Sequence, residues 1–192
     1  MKLGIFGGTF NPPHLGHLIV AESVREQLKL DRLFFVPSYS PPHKFNLQIA
    51  LPRQRFEMVE LSLNNNKYFS VSDIEIKREG KSYSIDTIHS MSLSFPRSQI
   101  YFIIGMDNLI DFPQWKLPNE IISKVELIVM NRPGYDREVK NEFSRYANFI
   151  KVPNLDISSS DIRRRVKMER SIRYLVNEEV EKYIIRKGLY KL

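Results

Sequence analysis

Short apolar segments alternate with longer segments in which apolar residues recur at helical spacing. The short segments predict strands at residues 2–6, 33–36, 69–76, 99–105, 126–130 and 149–152. The longer segments predict helices at residues 15–28, 51–63, 84–95, 118–124, 138–146, 159–167 and 178–186. This alternation predicts an α/β fold, a doubly wound and mostly parallel sheet of Rossmann-like type with helices on both faces.

The length of 192 residues predicts one domain, spanning residues 1–192, with a core large enough to need no disulfide or structural metal. The strand at 99–105 (QIYFIIG) is apolar on both faces, which is typical of a buried parallel strand. In such sheets ligands bind at the carboxyl ends of strands, where the strand order reverses. We therefore expect the functional residues to lie directly after the strands.

Composition narrows the classes of function. The absence of cysteine excludes disulfides, thiolate catalysis and Cys-based zinc sites. No apolar run approaches the roughly 20 residues of a membrane span, and the first ten residues indicate a strand rather than a signal peptide. We therefore expect a cytoplasmic protein with no membrane partner. The net charge of +7 favours polyanionic ligands without choosing among nucleotides, pyrophosphate and nucleic acids.

The string GGTFNPPHLGH follows the first predicted strand and opens the first predicted helix. Gly7 and Gly8 let backbone amides approach an anion closely, and His14 and His17 share one face of the helix's first turn. The ending of a Walker loop and the GxGxxG fingerprint are both absent, and two histidines alone do not make a zinc site. The alternative is a Gly-Pro turn with two capping or surface histidines.

This string resembles the nucleotidyltransferase superfamily, whose hallmark is (T/H)xGH just after the first strand. More narrowly, the chain resembles the bacterial nicotinate-nucleotide adenylyltransferases, and the resemblance covers nearly the whole chain. It implies transfer of AMP from ATP to nicotinate mononucleotide with release of pyrophosphate, in NAD biosynthesis. It also implies that Mg²⁺ arrives with ATP, and the sequence shows no dedicated metal site.

Two further segments carry the resemblance. In PPHK the family places its lysine, here Lys44, near the reacting phosphates; the alternative is a solvated lysine on a Pro-rich loop. In SYSIDT the family supplies backbone donors to the nicotinate carboxylate, which implies Ser82, Tyr83 and Ser84 here. Ser84 stands where threonine is usual. The alternative is a helix N-terminus capped by Ser82 or Ser84.

Two last segments complete the candidate site. Gly105 and Asp107 lie at the end of the strand predicted at 99–105, where Asp107 can accept from ribose hydroxyls or adenine. In FPQWK the resemblance implies that the family's aromatic residue, here Trp115, stacks on the pyridine ring. In ISSSDIRRR hydroxyls and amides at a helix start bind phosphate, and Arg163 clamps it. The alternatives are a packing tryptophan and an ordinary N-cap before a basic helix face. The part from about residue 157 to 192 is expected to complete the ATP site.

The candidate residues fall into three groups. The catalytic candidates are His14, His17, Lys44 and Arg163. The ATP-binding candidates are Gly7, Gly8, Thr9, Phe10, Gly105, Asp107, Ile157, Ser158, Ser159 and Ser160. The nicotinate mononucleotide candidates are Ser82, Tyr83, Ser84 and Trp115, and no metal-ligating residue is assigned.

Other functions stay open at the level of sequence. A related nucleotidyltransferase could use nicotinamide mononucleotide, phosphopantetheine or a cytidylyl donor, and a nucleotide-binding regulator would perform no chemistry. A nucleic-acid module could use Arg163–Arg165, but no recognition fold or stacking platform is apparent, so we expect no nucleic acid partner. Whether the chain forms a homo-oligomer is left open.

Overall fold

The computed structural model describes residues 1–40, 49–63, 66–131 and 141–191. Its sheet has six strands, each parallel to its neighbours, in the order β3-β2-β1-β4-β5-β6. The strands are β1 (Lys2–Gly8), β2 (Arg32–Pro37), β3 (Phe69–Val71), β4 (Gln99–Gly105), β5 (Glu126–Met130) and β6 (Ala147–Ile150). The predicted doubly wound parallel sheet is confirmed.

The helices cover both faces of this sheet. They are α1 (Leu15–Leu28), α2 (Pro52–Leu63), α3 (Ile74–Arg78), α4 (Ser84–Ser94), α5 (Met106–Asp111), α6 (Pro118–Lys124), α7 (Ser159–Lys167) and α8 (Glu178–Arg186). Val24 of α1 and Val59 of α2 pack in one buried cluster, and Ile88 of α4 and Ile121 of α6 pack in another. None of these helices has the length and apolar composition that a bilayer-spanning segment needs.

Strand β4 shows why the sheet is buried on both sides. Ile100, Phe102 and Ile104 belong to the cluster under α4 and α6, whereas Tyr101 and Ile103 belong to the cluster under α1 and α2. Successive side chains of a strand point to opposite faces, so an unbroken apolar run fills two cores at once. The run QIYFIIG therefore occupies the centre of the sheet, beside β1.

The sheet's order reverses between β1 and β4. From β1 the chain moves outward through β2 to β3, and it then returns to the other side of β1 for β4, β5 and β6. The carboxyl ends of β1 and β4, at Gly8 and Gly105, therefore flank the switch point. Crevices at such points are the usual ligand sites of open α/β sheets.

Residues 69–76 were predicted as one strand, and this is wrong. Strand β3 ends at Val71, where the Ser72 N–H donates to the Phe35 carbonyl, and α3 starts at Ile74. The Lys77 N–H donates to the Asp73 carbonyl at 2.8 Å, and their side chains form an ion pair at 3.0 Å. The alternating apolar residues that predicted one strand therefore belong to two elements, the strand β3 and the short helix α3.

Three other elements differ from the prediction. Within the described part of residues 138–146, which starts at 141, a short 3₁₀ turn over Ser144–Tyr146 replaces the predicted helix. The Asn141 carboxamide accepts the Phe143 N–H at 2.9 Å, a local bond that competes with helix formation. The last strand is Ala147–Ile150 rather than 149–152, and α5 was not predicted.

A third buried cluster fastens the C-terminal helices to α2. Met58 of α2, Ile162 of α7, and Val180 and Ile184 of α8 are each almost fully buried within it. This packing carries α7 to the carboxyl end of β1, although the two lie about 150 residues apart in the chain.

Candidate active site

A cleft of about 920 Å³ opens at the carboxyl ends of β1 and β4. Every candidate residue that lies within the described ranges lines it, from Gly7 and Gly8 on β1 to Arg163 on α7. Lys44 lies outside the described residues. Five segments that are separated in the sequence therefore meet around one space, and the size fits a dinucleotide-sized ligand.

The loop between β1 and α1 forms the floor of this cleft, and several of its carbonyl groups are bonded to the protein. The Gly8 carbonyl accepts the Ser38 N–H at 2.9 Å, and the Thr9 carbonyl accepts Nη1 of Arg55 at 2.8 Å. These acceptors are committed to protein donors. An anion that approaches the loop therefore meets fewer exposed carbonyl dipoles.

The next turn of the loop is tied to α7 in the same way. The Asn11 carbonyl accepts Nη1 of Arg163 at 2.8 Å, and the Pro12 carbonyl accepts the Ser159 hydroxyl at 2.8 Å. These bonds span about 150 residues of sequence. They bring the arginine of the SSSDIRRR segment to the histidine-bearing loop, as the sequence predicted.

Arg55 is a site residue that the sequence reasoning missed. Its side chain is fully buried, and its guanidinium donates to three carbonyls: Ala50 at 3.0 Å, Thr9 at 2.8 Å and Tyr39 at 3.0 Å. Burial lowers the pKa of Arg55 to about 10, which leaves it charged at neutral pH. A signal existed, because Arg55 lies three residues before Met58 on the buried stripe of α2.

The two histidines stack on each other at the start of α1. Their ring centroids are 3.6 Å apart with 27° between the planes, and the His14 N–H donates to Nδ1 of His17 at 3.1 Å. Because Nδ1 of His17 accepts a bond, the proton of its neutral ring is on Nε2. A Cβ at Gly16 would lie 3.0 Å from the His14 ring, so the glycine permits this packing.

The start of α7 supplies the opposite edge of the floor. The Ser158 hydroxyl caps the helix by accepting the Asp161 N–H at 3.1 Å, so the ordinary N-cap interpretation is correct for this side chain. The Ser160 hydroxyl accepts Nη2 of Arg163 at 3.2 Å, and burial lowers the pKa of Arg163. Because both hydroxyls accept in these bonds, each keeps its O–H donor, and these donors and the amides of the first turn are the groups suited to an anion.

The three successive arginines of α7 differ in their contacts. Arg163 faces the loop, whereas Arg164 bonds to Asp161 and Arg165 donates through Nε to the Ser171 carbonyl at 2.8 Å. The last two therefore contact segments other than the histidine-bearing loop.

A buried carboxylate holds the other wall of the cleft. Glu75 of α3 accepts the Thr87 hydroxyl at 2.5 Å and also bonds the Ser82 side chain, and burial raises its pKa. The Ser82 N–H donates to the Ser40 carbonyl at 3.1 Å. The residue that caps α4 is Tyr83, without a side-chain bond, so the interpretation of Ser82 or Ser84 as the N-cap is wrong.

Trp115 and Lys116 lie at the outer edge of this wall. Trp115 is half-buried against Phe112, with ring centroids 5.2 Å apart. The Lys116 ammonium is 3.2 Å from the Asp86 carboxylate and 4.7 Å from the centre of the Tyr83 ring. Asp86 therefore orders this edge through an ion pair.

Gly105 and Asp107 complete the site at the end of β4. A Cβ at Gly105 would lie 2.5 Å from Oδ1 of Asp107, so only glycine allows the carboxylate its position. Within the described ranges, no three histidine or carboxylate side chains come together in a way that could hold a metal ion.

Comparison with known proteins identifies the family. Residues 5–165 match the family model described as cytidylyltransferase-like. A protein of Caldicellulosiruptor saccharolyticus named "Probable nicotinate-nucleotide adenylyltransferase" is 46% identical over 198 aligned residues, covering 100% of both chains. One of the same name from Dictyoglomus turgidum is 45% identical, covering 99% of this chain and 96% of that one. This chain belongs to the nicotinate-nucleotide adenylyltransferase family.

The fold of this family member is also found in a solved structure. The Plasmodium falciparum nicotinic acid mononucleotide adenylyltransferase complexed with NaAD superposes with a TM-score of 0.80, at 19% identity, and 98% of this chain and 97% of that chain are covered. At this identity the likeness concerns the fold. It agrees with the Rossmann-like sheet described above.

Proposed function

We propose that this chain joins the AMP part of ATP to the phosphate of nicotinate mononucleotide, giving nicotinate adenine dinucleotide and pyrophosphate in NAD biosynthesis. One observation carries the proposal: the stacked His14 and His17, Arg163, and a loop whose carbonyls are bonded to the protein line the same cleft as Trp115. Family membership supports the same conclusion.

The reaction is a displacement at the α-phosphorus of ATP. A phosphate oxygen of the mononucleotide forms the new bond to the α-phosphorus, the bond to the bridging oxygen breaks, and pyrophosphate leaves with that electron pair. The attacking phosphate is ionised near neutral pH, so no strong base is needed. Catalysis then consists of positioning and of neutralising charge.

The two histidines and the cationic side chains divide this work in our proposal. His14 and His17 bind the α- and β-phosphates, and the Nε2–H of His17 is the donor suited to an oxygen on which charge develops. Arg163 and Lys44 neutralise the attacking phosphate and the leaving pyrophosphate. The amides of Ile157–Ser160 and of the Gly7–Phe10 segment bind the remaining phosphate oxygens, so the part from about residue 157 completes the ATP site.

The pyridine nucleotide occupies the other wall. Trp115 stacks on the pyridine ring. The nicotinate carboxylate accepts from backbone amides at the start of α4. Because the Ser82 N–H is bonded to Ser40, we assign the carboxylate to the amides of Tyr83 and Ser84. Asp107 accepts from the ribose hydroxyls or adenine of ATP.

Magnesium enters this scheme with its substrate. The ion arrives as Mg·ATP and keeps most of its waters. The cytoplasmic location stays a prediction.

The test is product identification. The protein is incubated with Mg·ATP and either nicotinate or nicotinamide mononucleotide, and the dinucleotide and the released pyrophosphate are quantified. We expect one pyrophosphate for each nicotinate dinucleotide and a clearly slower reaction with the amide. A protein that binds ATP without releasing pyrophosphate would be a regulator, and faster reaction of the amide would overturn the substrate assignment.

A further inference from the structure

The chain's C-terminal turn places a tyrosine against the loop that forms the floor of the cleft. After α8, the Gly188 N–H donates to the Ile185 carbonyl and the Leu189 N–H to the Ile184 carbonyl, with φ at Gly188 of 61°. These bonds define a Schellman motif, which reverses the chain direction. Tyr190 then lies only 4% exposed, with a φ of 66° that a bulky residue rarely adopts. The surroundings must therefore hold it in place.

The hydroxyl of Tyr190 ends on the histidine-bearing loop. It donates to Oδ1 of Asn11 at 2.8 Å, across 179 residues of sequence, and the Ala50 N–H donates to the same oxygen at 3.0 Å. Burial raises the pKa of Tyr190, so its hydroxyl keeps the proton that it donates. The Asn11 side chain is thus fixed by two donors from outside the loop.

Asn11 passes this restraint to the anion-binding groups. The main-chain carbonyl of Asn11 accepts Nη1 of Arg163. On either side of Asn11, the Thr9 carbonyl accepts from Arg55 and the Pro12 carbonyl accepts from Ser159. A shift of Asn11 would therefore move the loop and release the arginine together. Displacements of about 1 Å in positioning groups can lower a rate by two orders of magnitude.

We infer that Tyr190 is a positioning residue for adenylyl transfer, acting through Asn11 on the loop and on Arg163. The inference rests on the proposed function for one of its consequences, the lower kcat of adenylyl transfer. Its structural consequence, a looser loop when the hydroxyl is removed, does not depend on what the enzyme makes.

The matched pair of variants is Tyr190→Phe and Tyr183→Phe. Tyr183 is also buried in the third cluster, and its hydroxyl donates to Glu57 at 2.6 Å, but Glu57 does not line the cleft, whereas Asn11 does. Both changes remove one buried hydroxyl and keep the ring. We expect Tyr190→Phe to lower kcat about tenfold, the scale of one hydrogen bond, with Tyr183→Phe within twofold of the parent. Equal kcat values in the two variants would overturn the inference.

Two further readouts separate positioning from general loosening. In an Asn11→Ala background, we expect Tyr190→Phe to have no further effect on kcat; independent, multiplying losses would contradict action through Asn11. By amide hydrogen exchange without substrate, we expect Tyr190→Phe to speed exchange in residues 9–17 and Tyr183→Phe to leave it unchanged. A parent protein that forms no dinucleotide refutes the proposed function, whereas unchanged exchange refutes this inference alone.

Discussion

The two walls of the cleft are held from below by two different buried groups, a guanidinium and a glutamate carboxyl group. On the phosphate side Arg55, fully buried, donates to three main-chain carbonyls from three segments. On the pyridine side Glu75, 7% exposed, accepts from the hydroxyls of Thr87 and Ser82. A cation binds carbonyls and a carboxylate binds hydroxyls, so each group suits the wall that it supports.

The difference between the walls teaches how each one is specified. The phosphate side takes its shape from long-range bonds that fix the main chain, and a charged ligand needs that fixed arrangement. The outer pyridine side depends on Trp115, which is half-buried, and on the ion pair of Lys116 with Asp86, which is partly solvated. We therefore expect substitutions on the phosphate side to lower kcat, and substitutions on the pyridine side to raise the KM for nicotinate mononucleotide.

The largest expected effect is that of His17→Ala. Removing this donor should lower kcat by on the order of 100-fold, because it acts where charge develops. The measurement is pyrophosphate release at saturating Mg·ATP and nicotinate mononucleotide. His89→Ala is the matched control, since His89 pairs with Glu120 outside the cleft. If the two variants had equal kcat values, His17 would have no part in the transfer.

Arg55→Met should have the next largest effect. It leaves three carbonyls without their donor, which should lower the free energy of unfolding by about 2 kcal/mol. Urea unfolding measures this value. Arg53→Met on the same helix is the control: Arg53 is exposed and its ion pair with Glu57 is at the surface, so its loss should cost less than about 1 kcal/mol. Similar losses for both arginines would show that the buried bonds contribute little.

Trp115→Ala tests the pyridine side. Loss of aromatic stacking should raise the KM for nicotinate mononucleotide by about tenfold and leave kcat within a few-fold. Initial rates at varied concentrations of each substrate separate the two constants. A rise in the KM for ATP alone would place Trp115 against the wrong nucleotide.

The smallest expected effect concerns Glu75 and pH. Burial raises the pKa of Glu75 above its ordinary value of 4.5, so the folded protein binds its proton more readily than the unfolded chain does. As pH falls from neutral through that raised pKa, the parent should gain stability relative to Glu75→Gln. Urea unfolding at several pH values checks the sign.

Glu57→Gln provides a control of opposite sign. The Tyr183 hydroxyl lowers the pKa of Glu57, so the stability from that bond is present above pH 4.5 and is lost as pH falls below it. If the stability difference from the parent changed with pH in the same direction for both variants, the pKa shifts of Glu75 and Glu57 would not have opposite signs.

Local patterns predicted much of the fold and of the site. His14 and His17 are three residues apart, so helix geometry alone brings their rings together, and the apolar run of β4 indicates a central strand. Arg55, Glu75 and Tyr190 could not be assigned in the same way. Arg55 bonds Thr9 across 46 residues, Glu75 bonds Thr87 across 12 and Tyr190 bonds Asn11 across 179, and only the folded chain brings these pairs together.

The central claim is that segments distant in sequence act on the same phosphates. A double-mutant cycle of His17→Ala and Arg163→Ala tests it most directly, with the rate of dinucleotide formation in a single turnover as the readout. If both side chains act on the same reacting phosphates, the double variant should lose much less rate than the product of the two single losses. Fully multiplying losses would show that the two residues act independently and would contradict the account.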